Sequence, residues 1–377
     1  MGFVRGLLLS AAGAGMAYLA FATARLIAFE RRHLQTTAAV TGVTILKPLC
    51  GDEPRLFENL CSFCDQGHER LQILFGVRDR DDPAISVAKR VIERFPGRDI
   101  KLIVDGRVRC ENLKIANVMN MMEHAEHDVI VMADSDTRVG PSYVGAIVAS
   151  FDDPNVGVVS CLYRGVPGSG GVSELGALFI NDLFAPSVLV ALAMSPMDFA
   201  FGATIAMTRA ALQRIGGFAA VGSYLADDRL LAERAHAAGL KVVLNRYVVE
   251  HDVREHDIEA LWAHELRWAR TMRSARPYGY AFSFIMYPLP FAFAAWMWSR
   301  GRFASLVLAA VILARIAMHV ASRRALRVRT SDAPWLIPVR DGLGLALWAT
   351  AFFGSGVRWG DSRFAIDAKG RILRSVS

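Results

Sequence analysis

Val129-Ile-Val-Met-Ala-Asp-Ser-Asp-Thr137 is the stretch whose reading decides the fold. Its first four residues are apolar and read as a buried strand, which ends in two carboxylates, Asp134 and Asp136, one residue apart. In an extended segment, side chains at i and i+2 point the same way. The two carboxylates therefore repel each other unless a cation or a cationic group stands between them. A hard divalent ion bound through one or two carboxylates and a substrate diphosphate meets that need. A solvated turn is the other reading of the same residues.

Working upstream, Val43-Thr-Ile-Leu-Lys-Pro48 is a short β-rich run closed by Pro48 and Gly51. Residues 53–65 carry Leu56, Leu60 and Phe63 at helical spacing. Leu71-Gln-Ile-Leu-Phe-Gly-Val77 reads as a second strand, ending at Arg78-Asp-Arg-Asp-Asp82. A helix over 83–95 places Ile85, Ala88, Val91 and Ile92 on one face. A strand over 100–104 and a helix over 113–125 then lead into the Val129 strand. Strands alternating with helices at this spacing predict βαβ units and a mostly parallel α/β sheet. Ligands of such sheets sit outside the carboxyl ends of the strands, where Asp79 and the Asp134/Asp136 pair both fall. Downstream the pattern is less regular, with strands near 156–160, 203–207 and 241–249.

The chain has 377 residues, of which 53% are hydrophobic, with a mean hydropathy of +0.29. Apolar residues concentrate at the two ends. Gly6–Ala24 is uncharged and bounded by Arg5 and Arg25, long enough to span a bilayer. Runs over 277–299, 303–320 (interrupted by Arg315) and 342–357 (preceded by Arg340 and Asp341) follow near the C-terminus. A cleavable signal peptide is the alternative for the first run. Arg25, Arg31 and Arg32, which follow it closely, favour an anchor with the downstream side in the cytoplasm. The Arg323, Arg324, Arg327, Arg329 cluster points to the same side. The net charge of +7 thus fits membrane topology and anionic lipid, and no basic stripe with interleaved aromatics suggests nucleic acid. Cys61 and Cys64 form a Cys-x-x-Cys without the second pair or histidines that a zinc site needs, so they read as reduced thiols in a helix.

The expected layout is an N-terminal transmembrane anchor over 1–30, a catalytic domain over 40–275, a C-terminal membrane region of two or three helices over 277–360, and a basic tail over 361–377. Leu175 to Phe201 is strongly apolar within the charged middle. It reads either as core or as a surface at the membrane that guides a lipid.

Six motifs in order bring a family into view: Leu46-Lys-Pro-Leu-Cys-Gly51, Val77-Arg-Asp-Arg-Asp-Asp-Pro-Ala-Ile85, Asn112-Leu-Lys-Ile-Ala-Asn117, Asp134-Ser-Asp136, Leu225-Ala-Asp-Asp228 and His264-Glu-Leu-Arg-Trp268. Together they resemble the ceramide glucosyltransferase family (glycosyltransferase family 21, close to family 2), most nearly its hopanoid-biosynthesis-associated bacterial members. The resemblance implies a GT-A fold, a UDP-sugar donor, an inverting single displacement and a lipid hydroxyl acceptor. It implies that Asp134 and Asp136 bind Mg²⁺ or Mn²⁺, and that Lys47, Asp79, Lys114, His264 and Arg267 contact the nucleotide sugar. Asp228, with Asp227 beside it, matches the catalytic base. A carboxylate at the start of a helix is equally a helix cap. Arg267 matches the diphosphate-binding arginine, and Trp268 and Gly202 fall on the acceptor side. His264 stands where the family has Gln or Arg, so helix packing competes with its contact to the donor.

These residues lead to an integral membrane enzyme of the bacterial inner membrane, its catalytic domain cytoplasmic. It would move a sugar, foremost N-acetylglucosamine, from UDP to a bacteriohopanoid in the lipid bilayer. Glucose transfer to ceramide is the alternative, then a polysaccharide synthase, and last an inactive sugar-nucleotide-binding membrane protein. Oligomeric state is not legible in the sequence.

Overall fold

The computed structural model describes residues 2–37, 41–329, 333–354, 356–359, 362–366 and 370–373. The chain begins with a long helix, α1 (Gly2–Glu30), and passes into alternating β1 (Val43–Pro48), α2 (Leu56–Cys64), β2 (Leu71–Val77), α3 (Ala84–Arg94), β3 (Asp99–Val104), α4 (Leu113–Met122) and β4 (Val129–Met132). Next come β5 (Thr137–Arg138), α5 (Tyr143–Ala149), β6 (Val156–Pro167), α6 (Gly171–Phe179), α7 (Ala185–Met194), β7 (Ile205–Thr208), α8 (Arg209–Arg214), α9 (Asp227–Ala237) and β8 (Lys241–Val253). The remainder is α10 (Ile258–Ala275), α11 (Pro277–Phe282), α12 (Pro288–Ser299), α13 (Arg302–Leu326), α14 (Ile337–Thr350) and a small sheet of β9 (Gly356–Trp359), β10 (Ser362–Ile366) and β11 (Ile372–Leu373).

Two compact units divide the chain. One comprises residues 33–163 and 196–252; the other comprises 1–32, 164–195 and 253–377. The expected continuous domain over 40–275 therefore does not coincide with one unit: residues 164–195 and α10 group with the terminal helices. Sequence proximity suggested continuity, but α6 packs on α14 and α10, residues 180–184 pack on α13, and α7 packs on α1.

The sheet unit is an α/β layer whose eight strands run in the order β3-β2-β1-β4-β7-β6-β8-β5. Strands β3, β2, β1 and β4 are mutually parallel, and β7 runs antiparallel to both β4 and β6. Every residue of β2 and β4 is buried, which is why both read as continuous apolar runs rather than alternating ones. Leu60 and Phe63 of α2 are fully buried, as are Val118 and Met121 of α4 and Leu46, Leu74 and Phe75 of the strands. Each such side chain contributes about 1.5–3 kcal/mol by leaving water. Cys64 is likewise buried, which pushes its thiol up to about 12; with Cys61 it sits in α2 as a free thiol.

Among its described residues the helical unit holds three helices long and apolar enough to cross a membrane, Phe3–Glu30, Gly171–Met194 and Arg302–Leu326, or four if the bent pair Pro277–Met286 and Pro288–Ser299 is a single span. The pair is bent by 55° at Tyr287, which precedes Pro288 and leaves helical geometry at φ −116° and ψ 61°, as a residue before proline is disfavoured in the α region. The run Leu175 to Phe201 was expected as core or as a membrane-surface guide, and its residues up to Met194 lie in one of these three helices. The run over 342–357 does not form one helix: α14 stops at Thr350 and β9 starts at Gly356. Of the tail, Lys369 and Arg374 lie outside the described residues.

Charges inside these apolar helices pair with one another. Arg315 of α13 donates to Asp182 Oδ2 at 2.9 Å and to Asp341 Oδ1 at 3.2 Å, and all three are buried. His319 Nδ1 lies 2.8 Å from the same Asp182 oxygen. Arg340 grips Glu265 of α10 through two bonds of 2.7 Å. Removing one partner of such a set leaves an uncompensated buried charge, which costs about 3–5 kcal/mol. Arg315→Leu is therefore expected to lower the thermal stability of the detergent-extracted chain by that order, whereas Arg324→Leu, at an exposed position near the end of the same helix, should leave it within about 0.5 kcal/mol; parallel melting curves check this.

Candidate active site

The candidate site is built by the sheet register around the β4 end. Leu46 pairs with Met132, and the Ala133 N–H donates to the Leu46 carbonyl at 3.1 Å. That pairing brings Lys47, the next residue of β1, beside the Asp134-Ser-Asp136 turn. The Lys47 ammonium donates to the Asp134 carbonyl and, at 3.2 Å, to Thr137 Oγ1, and lies 3.8 Å from the centre of the Phe63 ring. Lys47 is fully buried. Burial lowers its pKa to about 7 against the opposing pull of Asp136, Asp134 and Glu53. Its charge is thus aimed at the turn's backbone.

The other side of the turn is fixed by the antiparallel strands. Met132 pairs with Ile205 of β7, and the Asp134 N–H donates to the Gly202 carbonyl at 3.1 Å. A Cβ on Gly202 would collide with Asp134 Oδ2 and approach Lys114 Nζ to 3.2 Å, so a side chain there would displace the Asp134 carboxylate. Thr137 pairs with His251 of β8; His251 Nδ1 stands 3.4 Å from Asp136 Oδ1. The Asp252 N–H donates to the Asp136 carbonyl at 2.9 Å, and the Asp252 carboxylate is held by Arg55 at 2.8 Å and Asn59 at 2.9 Å. Sequence reasoning did not single out His251 or Asp252. Only strand pairing carries them to the turn, across more than a hundred residues.

Asn112 joins the turn to the Asp227-Asp228 segment. Its Oδ1 caps α4 by accepting from the N–H groups of Lys114 and Ile115, each at 3.1 Å, as a good N-cap does. Its Nδ2 donates to the Tyr224 carbonyl at 2.8 Å and to Asp227 Oδ1 at 3.2 Å. Lys114, in the first turn of α4, then reaches Asp134 Oδ1 at 2.5 Å and lies 3.9 Å from Asp227 Oδ2. Burial lowers the Lys114 pKa, but Asp134 and Asp227 outweigh it and the net shift is upward. The ammonium is the counter-charge of this acidic cluster.

Asp227 is buried, and its Oδ2 accepts no hydrogen bond among the described residues; burial raises its pKa despite Lys114. Asp228 follows at the start of α9 and accepts from the Arg229 N–H at 2.7 Å. Burial first, then repulsion by Asp227, pushes its carboxyl up to about 6, within reach of a general base. Asp79 is exposed and accepts from the Asp81 N–H at 3.0 Å in a local turn, while Asp82 accepts from Gly51 and Ala84 N–H groups and fixes the start of α3.

The donor chemistry suits a hard cation. Asp134 and Asp136 offer carboxylate oxygens on one turn, and His251 adds an imidazole beside them. Two carboxylates with a diphosphate are the usual holding set for Mg²⁺. Among the described residues no three such side chains converge on one point, so the substrate's own oxygens would have to complete the coordination.

His264, Arg267 and Trp268 lie on α10, in the helical unit. The His264 ring packs on Trp268 at 4.3 Å between centres and hydrogen-bonds Glu255. Trp268 also meets Phe179 at 5.8 Å. Arg267 is half-buried, one turn after His264.

The profile of glycosyl transferase family 21 matches residues 7–372. Ceramide glucosyltransferase 3 of Caenorhabditis elegans is 25% identical over 244 residues, covering 64% of this chain and 52% of that protein. The ceramide glucosyltransferase of Candida albicans is 31% identical over 123 residues, 29% of this chain and 23% of its own. The chain spans about half the length of the two worm relatives it matches. Among solved structures, a mannosyltransferase from Pyrobaculum calidifontis in complex with GDP-Man and Mn²⁺ superposes with a TM-score of 0.56 at 16% identity, over 93% of this chain and 99% of that one. The fold is thereby GT-A, as the motifs implied.

Lys114→Met removes the ammonium that compensates Asp134. The expected result is tighter Mn²⁺ binding in the absence of nucleotide, by about tenfold for 1.4 kcal/mol of relieved competition, and weaker UDP binding. Mn²⁺ titration by electron paramagnetic resonance and UDP titration by calorimetry read the two effects separately.

Proposed function

We propose, because this chain belongs to glycosyl transferase family 21, that it is a membrane-bound inverting glycosyltransferase moving a sugar from a UDP-sugar to a hydroxyl of a membrane lipid. The observation that carries the reading is the Lys114 bridge between Asp134 and Asp227 with Asp228 next in the chain, where a carboxyl poised near pH 6 adjoins an acidic turn fit for a cation and a diphosphate.

In this reading Asp228 accepts the acceptor's hydroxyl proton as that oxygen attacks the anomeric carbon. The bond from the anomeric carbon to the UDP oxygen breaks on the opposite face, its electron pair leaving with the diphosphate. Lys114 turns from Asp134 toward the departing oxygens. Asp134 and Asp136 would hold Mg²⁺ or Mn²⁺, which when bound offsets negative charge on the leaving group. Lys47, through the turn's backbone, and Gly202, by its lack of a side chain, keep the turn in place. Asp79, by its motif, is assigned to the base or ribose of the donor. Arg267 is assigned on the motif alone to the diphosphate, Trp268 to the acceptor side, and His264 to orienting Trp268.

The apolar helices, with Arg25 in the last part of α1 and Arg31 and Arg32 just after it, support a place in the bilayer with the sheet unit in the cytoplasm of a bacterial cell. The motif pattern favours N-acetylglucosamine on a bacteriohopanoid. The relatives named ceramide glucosyltransferases support glucose on ceramide as the second reading.

Asp228→Asn is expected to slow transfer by about 100-fold or more with UDP binding retained; collapse of donor affinity would instead make Asp228 a ligand or a cap. Because the base must be ionised, and its pKa is raised to about 6, transfer by the unaltered chain should fall as pH drops through about 6. The residual activity of Asp228→Asn should lack that limb. Lipid mass spectrometry of cells expressing the chain with hopanoid or with ceramide identifies the product, and glycosylation of neither alongside intact UDP-sugar binding would defeat the lipid-acceptor reading.

A further inference from the structure

The helical unit contains a small cavity that none of the chemistry above uses. Its polar wall is Glu174, Asp182, His319 and Arg323, and its apolar wall includes Leu178 and Val328. The room amounts to about one water-sized sphere, enough for a hydroxyl end and too little for a sugar ring or a nucleotide.

Asp182 gives the cavity its chemistry. It is fully buried. Its Oδ2 is engaged by Arg315 at 2.9 Å and His319 at 2.8 Å, while its Oδ1 is buried and accepts no hydrogen bond among the described residues. Leaving such an acceptor unsatisfied costs about 1–3 kcal/mol or more, so a donor entering the cavity is strongly favoured. A π-helical turn, Ile180–Phe184, sets the aspartate there. Asn181 locks the turn by bonding both the N–H and the carbonyl of Gly165, at 2.9 and 3.1 Å, and its carbonyl accepts from Ser322. Such π turns inside helices frequently accompany functional sites. Both helices that frame the cavity, Gly171–Met194 and Arg302–Leu326, are apolar enough to cross a membrane. Ionisable groups at that depth line substrate paths or pair with one another.

The ligand class follows by charge. Arg315, His319 and Arg323 disfavour a cation or an ammonium headgroup, and Asp182 with Glu174 disfavours a phosphate. A neutral hydroxyl on an apolar chain satisfies both walls. We infer that this cavity receives the hydroxyl end of a lipid, whose O–H donates to Asp182 Oδ1. The lipid is either the acceptor, in which case the inference rests on the transferase reading, or a resident bilayer lipid with the same chemistry.

The test uses the full chain in detergent with a diazirine-bearing long-chain alkanol and, in parallel, its methyl ether. Labelled peptides are mapped by mass spectrometry. A hydrogen bond to a charged acceptor is worth about 1.5–3 kcal/mol, so the alkanol should label peptides of 171–194 and 302–326 about tenfold or more over the ether. Val328→Trp, which plugs the cavity without touching the Asp182–Arg315 pair, should remove the preference; Val328→Phe is the smaller plug if the first fails to fold. Equal labelling by ether and alkanol, or a preference that survives the plug, overturns the inference and leaves water as the occupant. Added UDP-sugar separates the sources. Glycosylation of the alkanol together with reduced labelling marks the acceptor. Undiminished labelling without glycosylation marks a resident lipid, and both uphold the site. Loss of UDP binding by the unaltered chain would defeat the transferase reading while leaving the labelling result intact.

Discussion

Electrostatic repulsion among carboxylates at the end of β4 is the constraint on which the sheet unit depends. Asp134, Asp136, Asp227 and Asp228 are crowded where burial already disfavours charge, and the described structure tolerates them because Lys114 bridges Asp134 and Asp227. That lysine reaches the cluster only because Asn112 both caps α4 and ties it to the segment before α9. In the proposed reaction the same ammonium would give way to a cation and a diphosphate, so that the cluster would meet charge arriving with the substrate.

Lys47 shows the complementary solution. A buried ammonium without a carboxylate in direct contact has its pKa pulled down toward neutrality, and it persists because the turn's carbonyl, a threonine hydroxyl and an aromatic face surround it. Its work is on the backbone of the Asp134–Asp136 turn, so it sets direction for the carboxylates without competing for them.

The helical unit solves a related problem in an apolar setting. Arg315 lies between Asp182 and Asp341, and Arg340 forks onto Glu265. Charges that looked in the sequence like interruptions of apolar runs are thus the points at which helices far apart in the chain are matched. Asp182 has one oxygen in that network and one that accepts no hydrogen bond among the described residues, and the proposed lipid site rests on that second oxygen.

The sequence by itself determined the βαβ half of the sheet, since β1 to β4 and the helices between them follow from apolar runs and helical periodicity within short stretches. It also located Asp134, Asp136, Lys114 and Asp228, because each sits in a local motif. Tertiary structure alone decided that His251 and Asp252 flank the Asp136 turn, because antiparallel pairing of β5 with β8 joins residues with no local signal. It also decided that Leu175 to Met194 belongs with α1 and α13: an apolar run looks the same in sequence whether it is core, surface or span, and only its packing partners distinguish them. The end of the fourth apolar run was hidden for a similar reason. Hydropathy registers composition, whereas α14 stops at Thr350 and β9 begins at Gly356.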